Sequence, residues 1–350
     1  MIDSFLSRQG KKLQIVLVLL INLLVYIIYI NVIKVATNMT NDAIAVEGVK
    51  KQYGQFEALR GIDLQIPYGE IFGFLGPNGA GKSTLIQILT TLALPTSGHV
   101  NIAGIDVIAH PDDVRFTIGV ALQDTGVDPL LTGRELLILQ ARLFGMNKKA
   151  AMERANELLH QFGLEEAADR RVKTYSGGMR RRLDLSLSLV HRPKILFLDE
   201  PTTGLDPQNR LSLWELLRSI NQKTDTTIFL TTQYLEEADA LCGQLAIIDH
   251  GQIIERGSPQ ALKRKMRRDV IDFEFMDRQT AEKAFEMVTS KEFACAIADE
   301  TLHVFTENGA QDTRILLPLF EECQLEVVGL KVTPPTLDDV FIQLTGQEAK

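Results

Sequence analysis

The sequence predicts an α/β fold, a largely parallel sheet covered by helices on both faces and followed by a small α+β unit. Three observations carry that prediction. Short apolar runs alternate with helical stretches from Ala43 to about residue 260. A glycine-rich turn, Gly76 to Gly81, joins one such run to a helix. Residues 269–350 read strand, helix, strand, strand, helix, strand and a final helix, the order of a ferredoxin-like unit.

The elements follow in order. Ala43 to Val49 and Ala58 to Ile66 read as strands joined by a turn at Gly54. Ile71 to Leu75 is a short apolar strand and Lys82 to Leu92 a helix. Val100 to Ala103 and Thr117 to Ala121 are further short strands. Residues 132–192 read as a helical subdomain, with Thr132 and Gly133 opening one helix and a second running from about Lys148 to Phe162. Ile195 to Leu198, Thr227 to Thr231 and Leu245 to Asp249 are buried-type strands. The basic stretch 261–268 marks a linker. Beyond it, Val270 to Phe275 alternates as a strand, and Gln279 to Val288 and Asp312 to Cys323 have helical spacing.

A length of 350 residues suggests more than one domain, and 45% hydrophobic residues are ample for a core. The net charge of −8 argues against a nucleic-acid partner. Three widely spaced cysteines, without a CxxC pair, suggest neither a zinc site nor a disulfide framework. The histidines form no metal-ligand spacing. Residues 1–38 stand apart. Leu13 to Ile33 carry no charge and are long enough to span a hydrocarbon core, which reads as one transmembrane helix. Arg8, Lys11 and Lys12 precede the run, an arrangement that puts the rest of the chain outside the cytosol. Met39 begins a stretch that reads like the start of a soluble domain, so the alternative is a start-site artefact.

The chemistry lies in two motifs. Gly76-Pro77-Asn78-Gly79-Ala80-Gly81-Lys82-Ser83-Thr84 fits G-x-x-x-x-G-K-[ST] between a strand and a helix. Glycines let backbone N–H groups close on phosphates, and the helix N-terminus adds its positive dipole end. Lys82 is expected to reach the β- and γ-phosphates of ATP, and Ser83 to ligate Mg²⁺. Ile195 to Leu198 ends in Asp199 and Glu200. A strand tip beside a phosphate loop is where Mg²⁺ needs a carboxylate, so Asp199 takes that role. Glu200 is then placed to polarise the attacking water as general base.

Upstream stands Tyr175-Ser176-Gly177-Gly178-Met179-Arg180-Arg181-Arg182. With it, residues 43–260 resemble an ABC transporter nucleotide-binding domain, a P-loop NTPase fold, and Ser176 to Gly178 resemble its signature motif. The usual leading Leu is Tyr175 here and the usual Gln is Met179. The resemblance implies that Ser176, Gly177 and Gly178 pack on ATP bound to an opposite subunit, so that the active unit is a homodimer or heterodimer. It further implies Tyr53 as the adenine-stacking aromatic, Gln123 as a residue touching Mg²⁺ or water, and Asp206 at the dimer crossing. Gln233 stands where most members carry a switch His. An amide donates to a γ-phosphate but takes no proton. Thr231-Thr232-Gln233-Tyr234 and the tail motif from Pro335 to Gly346 resemble the daunorubicin-resistance-type subgroup. That implies an ATPase on the cytoplasmic face of the membrane, in conflict with the orientation that Arg8, Lys11 and Lys12 give, driving export of a drug-like or lipid-like compound through a separate permease. A non-transport ABC ATPase would carry tandem nucleotide domains or a long coiled-coil insertion, and neither is present. A regulator that binds ATP without turnover is suggested only by Gln233, and Glu200 argues against it.

Overall fold

A computed structural model of the protein describes residues 42–123, 126–265 and 269–345. The apolar segment Leu13 to Ile33, with both of its readings, lies outside these residues. Among the described residues, no helix is long and apolar enough to cross a membrane.

The chain enters as a long hairpin, β1 (Asp42–Tyr53) and β2 (Phe56–Pro67). Both strands run beyond their apolar stretches, because cross-strand pairing continues through Lys51↔Leu59 to Tyr53↔Phe56. β4 (Ser97–Ile102) and β5 (Ile105–Asp106) complete an antiparallel sheet in the order β2-β1-β4-β5. The second sheet has six strands. β3 (Ile71–Leu75) lies at its centre, with β8 (Thr227–Thr232), β7 (Ile195–Asp199) and β6 (Ile118–Ala121) in parallel on one side. On the other side β9 (Gln244–Asp249) is parallel and β10 (Gln252–Gly257) returns antiparallel.

The central strands have nearly all residues buried, as a sheet covered on both faces requires. Their side chains divide by the two-residue period. Phe72, Phe74, Phe197 and Phe229 face the antiparallel sheet and helix α1 (Lys82–Leu89). Their neighbours Ile71, Leu75, Leu196, Leu198, Ile228 and Leu230 share the core of the helical layer. That layer holds α3 (Gly133–Leu143), α4 (Lys148–Gln161), α5 (Gly177–Ser188), α6 (Pro207–Thr224) and α7 (Leu235–Leu241). A short helix α2 (Pro111–Thr117) precedes β6, with Pro111 in its first turn followed by Asp112 and Asp113. Thr132 caps α3 in a reciprocal box with Glu135, so the helix begins where the sequence places it.

After α8 (Pro259–Lys265) comes the second unit. β11 (Asp269–Phe275), α9 (Arg278–Ser290), β12 (Ala294–Ala298), β13 (Thr301–Thr306), α10 (Gly309–Glu322) and β14 (Val327–Thr333) form a sheet in the order β12-β13-β11-β14. The core of this unit runs from Ile271 to Leu325. The final helix α11 (Leu337–Thr345) packs elsewhere. Leu337, Val340 and Phe341 join the core of the first unit, against α7 and α8.

Candidate functional site

The loop between β3 and α1 is shaped by steric necessity. A Cβ on Gly76 would lie 2.4 Å from the Ile248 carbonyl oxygen. Gly81 has φ +112°, a left-handed conformation that favours glycine, and a Cβ there would meet the Ala58 oxygen at 2.7 Å. Helix α1 opens directly after it, with Leu85 N–H donating to Gly81 O at 3.0 Å. Lys82 is buried. Its Nζ donates to Gly76 O at 2.8 Å and to Pro77 O at 3.2 Å, which folds the side chain back over the loop. Burial pushes the pKa of this ammonium down, while the Glu200 and Asp199 carboxylates pull it back up.

The tip of β7 faces the loop. Asp199 Oδ1 accepts from Thr231 Oγ1 at 2.5 Å and from Ser83 Oγ at 3.5 Å. Glu200 Oε1 stands 3.7 Å from Lys82 Nζ. Glu200 has φ +47°, rare for a residue with a side chain. Its N–H donates to both the carbonyl and the hydroxyl of Thr231 at 3.1 Å, which holds the turn. Asn78, Gly79, Gly81, Lys82, Ser83, Thr84, Gln123, Glu200 and Gln233 line one cleft of about 490 Å³. Phe56, Ala58 and Thr203 complete its wall. Segments as far apart in sequence as Phe56 and Gln233 thus converge on one cleft.

Tyr53 lies apart from this lining. It pairs with Phe56 at the end of the hairpin, is 47% exposed, and carries Lys51 Nζ 4.7 Å from its ring centroid. Ser176, Gly177, Gly178 and Asp206 form a second cluster. Ser176 caps α5 by accepting from Met179 N–H at 3.2 Å. Asp206 caps α6 through Asn209 N–H at 2.9 Å and also accepts from Asn209 Nδ2 at 2.6 Å. The same Asn209 side chain lies against Gly178, where a Cβ would meet it at 3.0 Å. Tyr175 anchors the turn before Ser176: its hydroxyl donates to Ala167 O at 2.6 Å, buried beneath α3.

Several side chains of this neighbourhood find partners that no motif specifies. Thr231 orients Asp199. Glu237, fully buried one turn after Gln233, accepts from Trp214 Nε1 at 3.2 Å, and its pKa is raised by burial against the pull of Thr232 and Thr202. Arg181 and Asp184 form a buried ion pair of 3.3 Å on α5. The one signal for it in sequence is a pair of charges three positions apart, one of them on the apolar side of a helix.

Comparison with known proteins finds similar chains along most of the described length. Residues 59–203 match the ABC transporter family, and residues 257–345 match the C-terminal domain of DrrA1-3-like ATP-binding proteins. The daunorubicin/doxorubicin resistance ATP-binding protein DrrA of Streptomyces peucetius is 44% identical over 311 residues, 88% of this chain and 93% of that protein. The Nod factor export ATP-binding protein I of Rhizobium sp. (strain N33) is 37% identical over 311 residues, 89% and 99% of the two chains. Among solved structures, cbiO1 of Clostridium perfringens, part of the ABC transporter complex cbiONQ, superposes with a TM-score of 0.60 at 27% identity, covering 63% of this chain and 90% of that one. A dimeric ATP-binding cassette in a post-hydrolysis state with ADP and Pi gives 0.57 at 28%, covering 61% and 98%.

Proposed function

The chain belongs to the ABC transporter ATP-binding subunits of the daunorubicin-resistance type, and from that premise we propose how its residues bind and hydrolyse ATP and what the hydrolysis drives. The subunit is an ATPase of an exporter, and the family pairs such subunits with a separate permease and with each other.

In the reading we favour, Gly76 to Thr84 cradle the phosphates through backbone N–H groups, and Lys82 neutralises the β- and γ-oxygens. Ser83 and Asp199, whose oxygens approach to 3.5 Å, would hold Mg²⁺ together with Gln123. When bound, that ion supplies charge neutralisation on the β- and γ-phosphates. Thr231 keeps Asp199 turned toward Ser83. Glu200 accepts a proton from the attacking water as general base, with Gln233 donating its amide to the γ-phosphate. Tyr53 stacks on the adenine. Ser176 to Gly178 and Asp206 belong to the opposite subunit's nucleotide, so two chains complete two sites. A homodimer is the simplest assembly that does this.

The convergence of Lys82, Ser83, Gln123, Glu200 and Gln233 on one cleft carries the proposal. Relatives that serve daunorubicin resistance and Nod factor export support an amphiphilic, drug-like or lipid-like cargo and a position on the cytoplasmic face of the membrane beside the permease. The test is Glu200→Gln. It should keep ATP bound and stabilise the dimer while turnover falls by at least ~100-fold, the range for losing a positioned base. Size-exclusion chromatography with ATP and a phosphate-release assay read both. Parent-level turnover would remove Glu200 from the role of base.

A further inference from the structure

Arg181 is 6% exposed and lies on α5, the helix that Ser176 caps. Its guanidinium makes a planar fork of bonds to three segments. Nε donates to Pro201 O at 2.9 Å and Nη2 to Asp199 O at 3.2 Å. Nη1 donates to Leu122 O at 2.6 Å and to Asp184 Oδ2 at 3.3 Å. The carbonyls of Asp199 and Pro201 flank Glu200 on either side, so the fork clamps the left-handed turn that aims its carboxylate. Leu122 O is the carbonyl immediately before Gln123. Only arginine presents rigid donors that span such a set, and Asp184 compensates its buried charge.

We propose that Arg181 is a positioning residue of the ATPase. It locks the aim of Glu200 and the entry to Gln123 onto the helix that carries Ser176, so the base of one nucleotide site moves with the signature of the other. This rests on the roles given above to Glu200 and Ser176. The clamp touches no residue of the phosphate loop and holds Asp199 and the approach to Gln123 only by backbone carbonyls, so its loss acts on turnover far more than on nucleotide affinity.

The experiment compares the full-length parent, Arg181→Gln, Arg181→Lys and Glu200→Gln, each co-expressed with its permease. Steady-state ATPase activity, equilibrium binding of a fluorescent ATP analogue and thermal unfolding are measured. Arg181→Gln should lower kcat at least tenfold with affinity within twofold of the parent. Arg181→Lys keeps the charge beside Asp184 but cannot reach all three carbonyls, so its kcat should fall between the two. If Arg181→Gln does not fold, Arg181→Lys decides the matter by the same criterion. Parent-level kcat in the folded Arg181 variants, with Glu200→Gln inactive, overturns the proposal and spares the base. A kcat loss matched by equal losses of affinity and thermal midpoint overturns it in favour of a purely structural role. Parent-level kcat in Glu200→Gln overturns it through its premise.

Discussion

At the scale of single residues, the site is a set of charges held at fixed separations. Lys82 is folded onto its own loop and lies 3.7 Å from Glu200, so each group compensates the other while the cleft is open to nucleotide. Gln233, like Tyr175 and Met179, differs from the pattern that the family resemblance implies. Since the amide only donates or accepts hydrogen bonds, Gln233→His should keep or raise steady-state ATPase activity, and a loss of more than tenfold would mean that the amide has a role of its own. Asp184 offers a second measurement. Burial raises its pKa to about 6, and the Arg181 charge only partly opposes this. A carboxyl with a raised folded pKa binds its proton more tightly in the native state, so its ionisation costs stability as pH rises from about 4 through about 6. From 3.8 to about 6 is ~3 kcal/mol at about 1.36 kcal/mol per pH unit. Asp184→Asn has no such ionisation. The stability of the variant minus that of the parent should therefore increase with pH across this window, as urea unfolding at pH 4.5 and 7.5 would read. A flat difference would refute the shifted carboxyl.

At the scale of elements, helix starts position the chemistry. Thr132, Ser176 and Asp206 each cap a helix through a side-chain oxygen, so the turns that carry Ser176 and Asp206 have defined geometry without a ligand. The Ser176 turn is further pinned by Tyr175 beneath α3. A Cβ on Gly133 would come within 2.6 Å of the Tyr175 hydroxyl. Gly133→Ala should therefore cost about 1–3 kcal/mol, the usual penalty of overpacking, and displace the turn. Removing the oxygen in Gly133→Ala/Tyr175→Phe should restore part of that loss, a coupling that a double-mutant cycle would quantify. Strictly additive effects would show that the two residues do not press on one another. The short strands tell the same story of local control. Ile71–Leu75 is followed by glycine because any side chain at position 76 would collide with the Ile248 backbone.

At the scale of the whole molecule, two sheet-bearing units are joined twice, once through the chain after α8 and again through α11. Phe341 is 4% exposed in the first unit's core, beside the helix that follows Gln233. Phe341→Ala should cost about 3–5 kcal/mol and expose the segment before α11 to proteases, whereas Phe341→Leu should cost much less. Equal protease resistance in parent and Phe341→Ala would argue against a docked helix. The sequence by itself determined what depends on neighbours along the chain. The glycine-rich turn, the acids at the end of an apolar strand, the Thr132 cap and the succession of strands and helices were all legible, because each is set by residues within a few positions. The tail reads as one unit up to its last helix for the same reason. What only the tertiary structure decided is what depends on distant partners. Arg181 reaches carbonyls 18 to 59 positions away, and α11 buries its apolar face on helices ~80 to ~100 positions earlier. Glu237 looks like any surface glutamate in a helix until Trp214 and the Thr202 and Thr232 hydroxyls surround it. Hydrogen-bond donors and apolar stripes announce that they need partners, but which partners they find depends on how the sheets and helices pack.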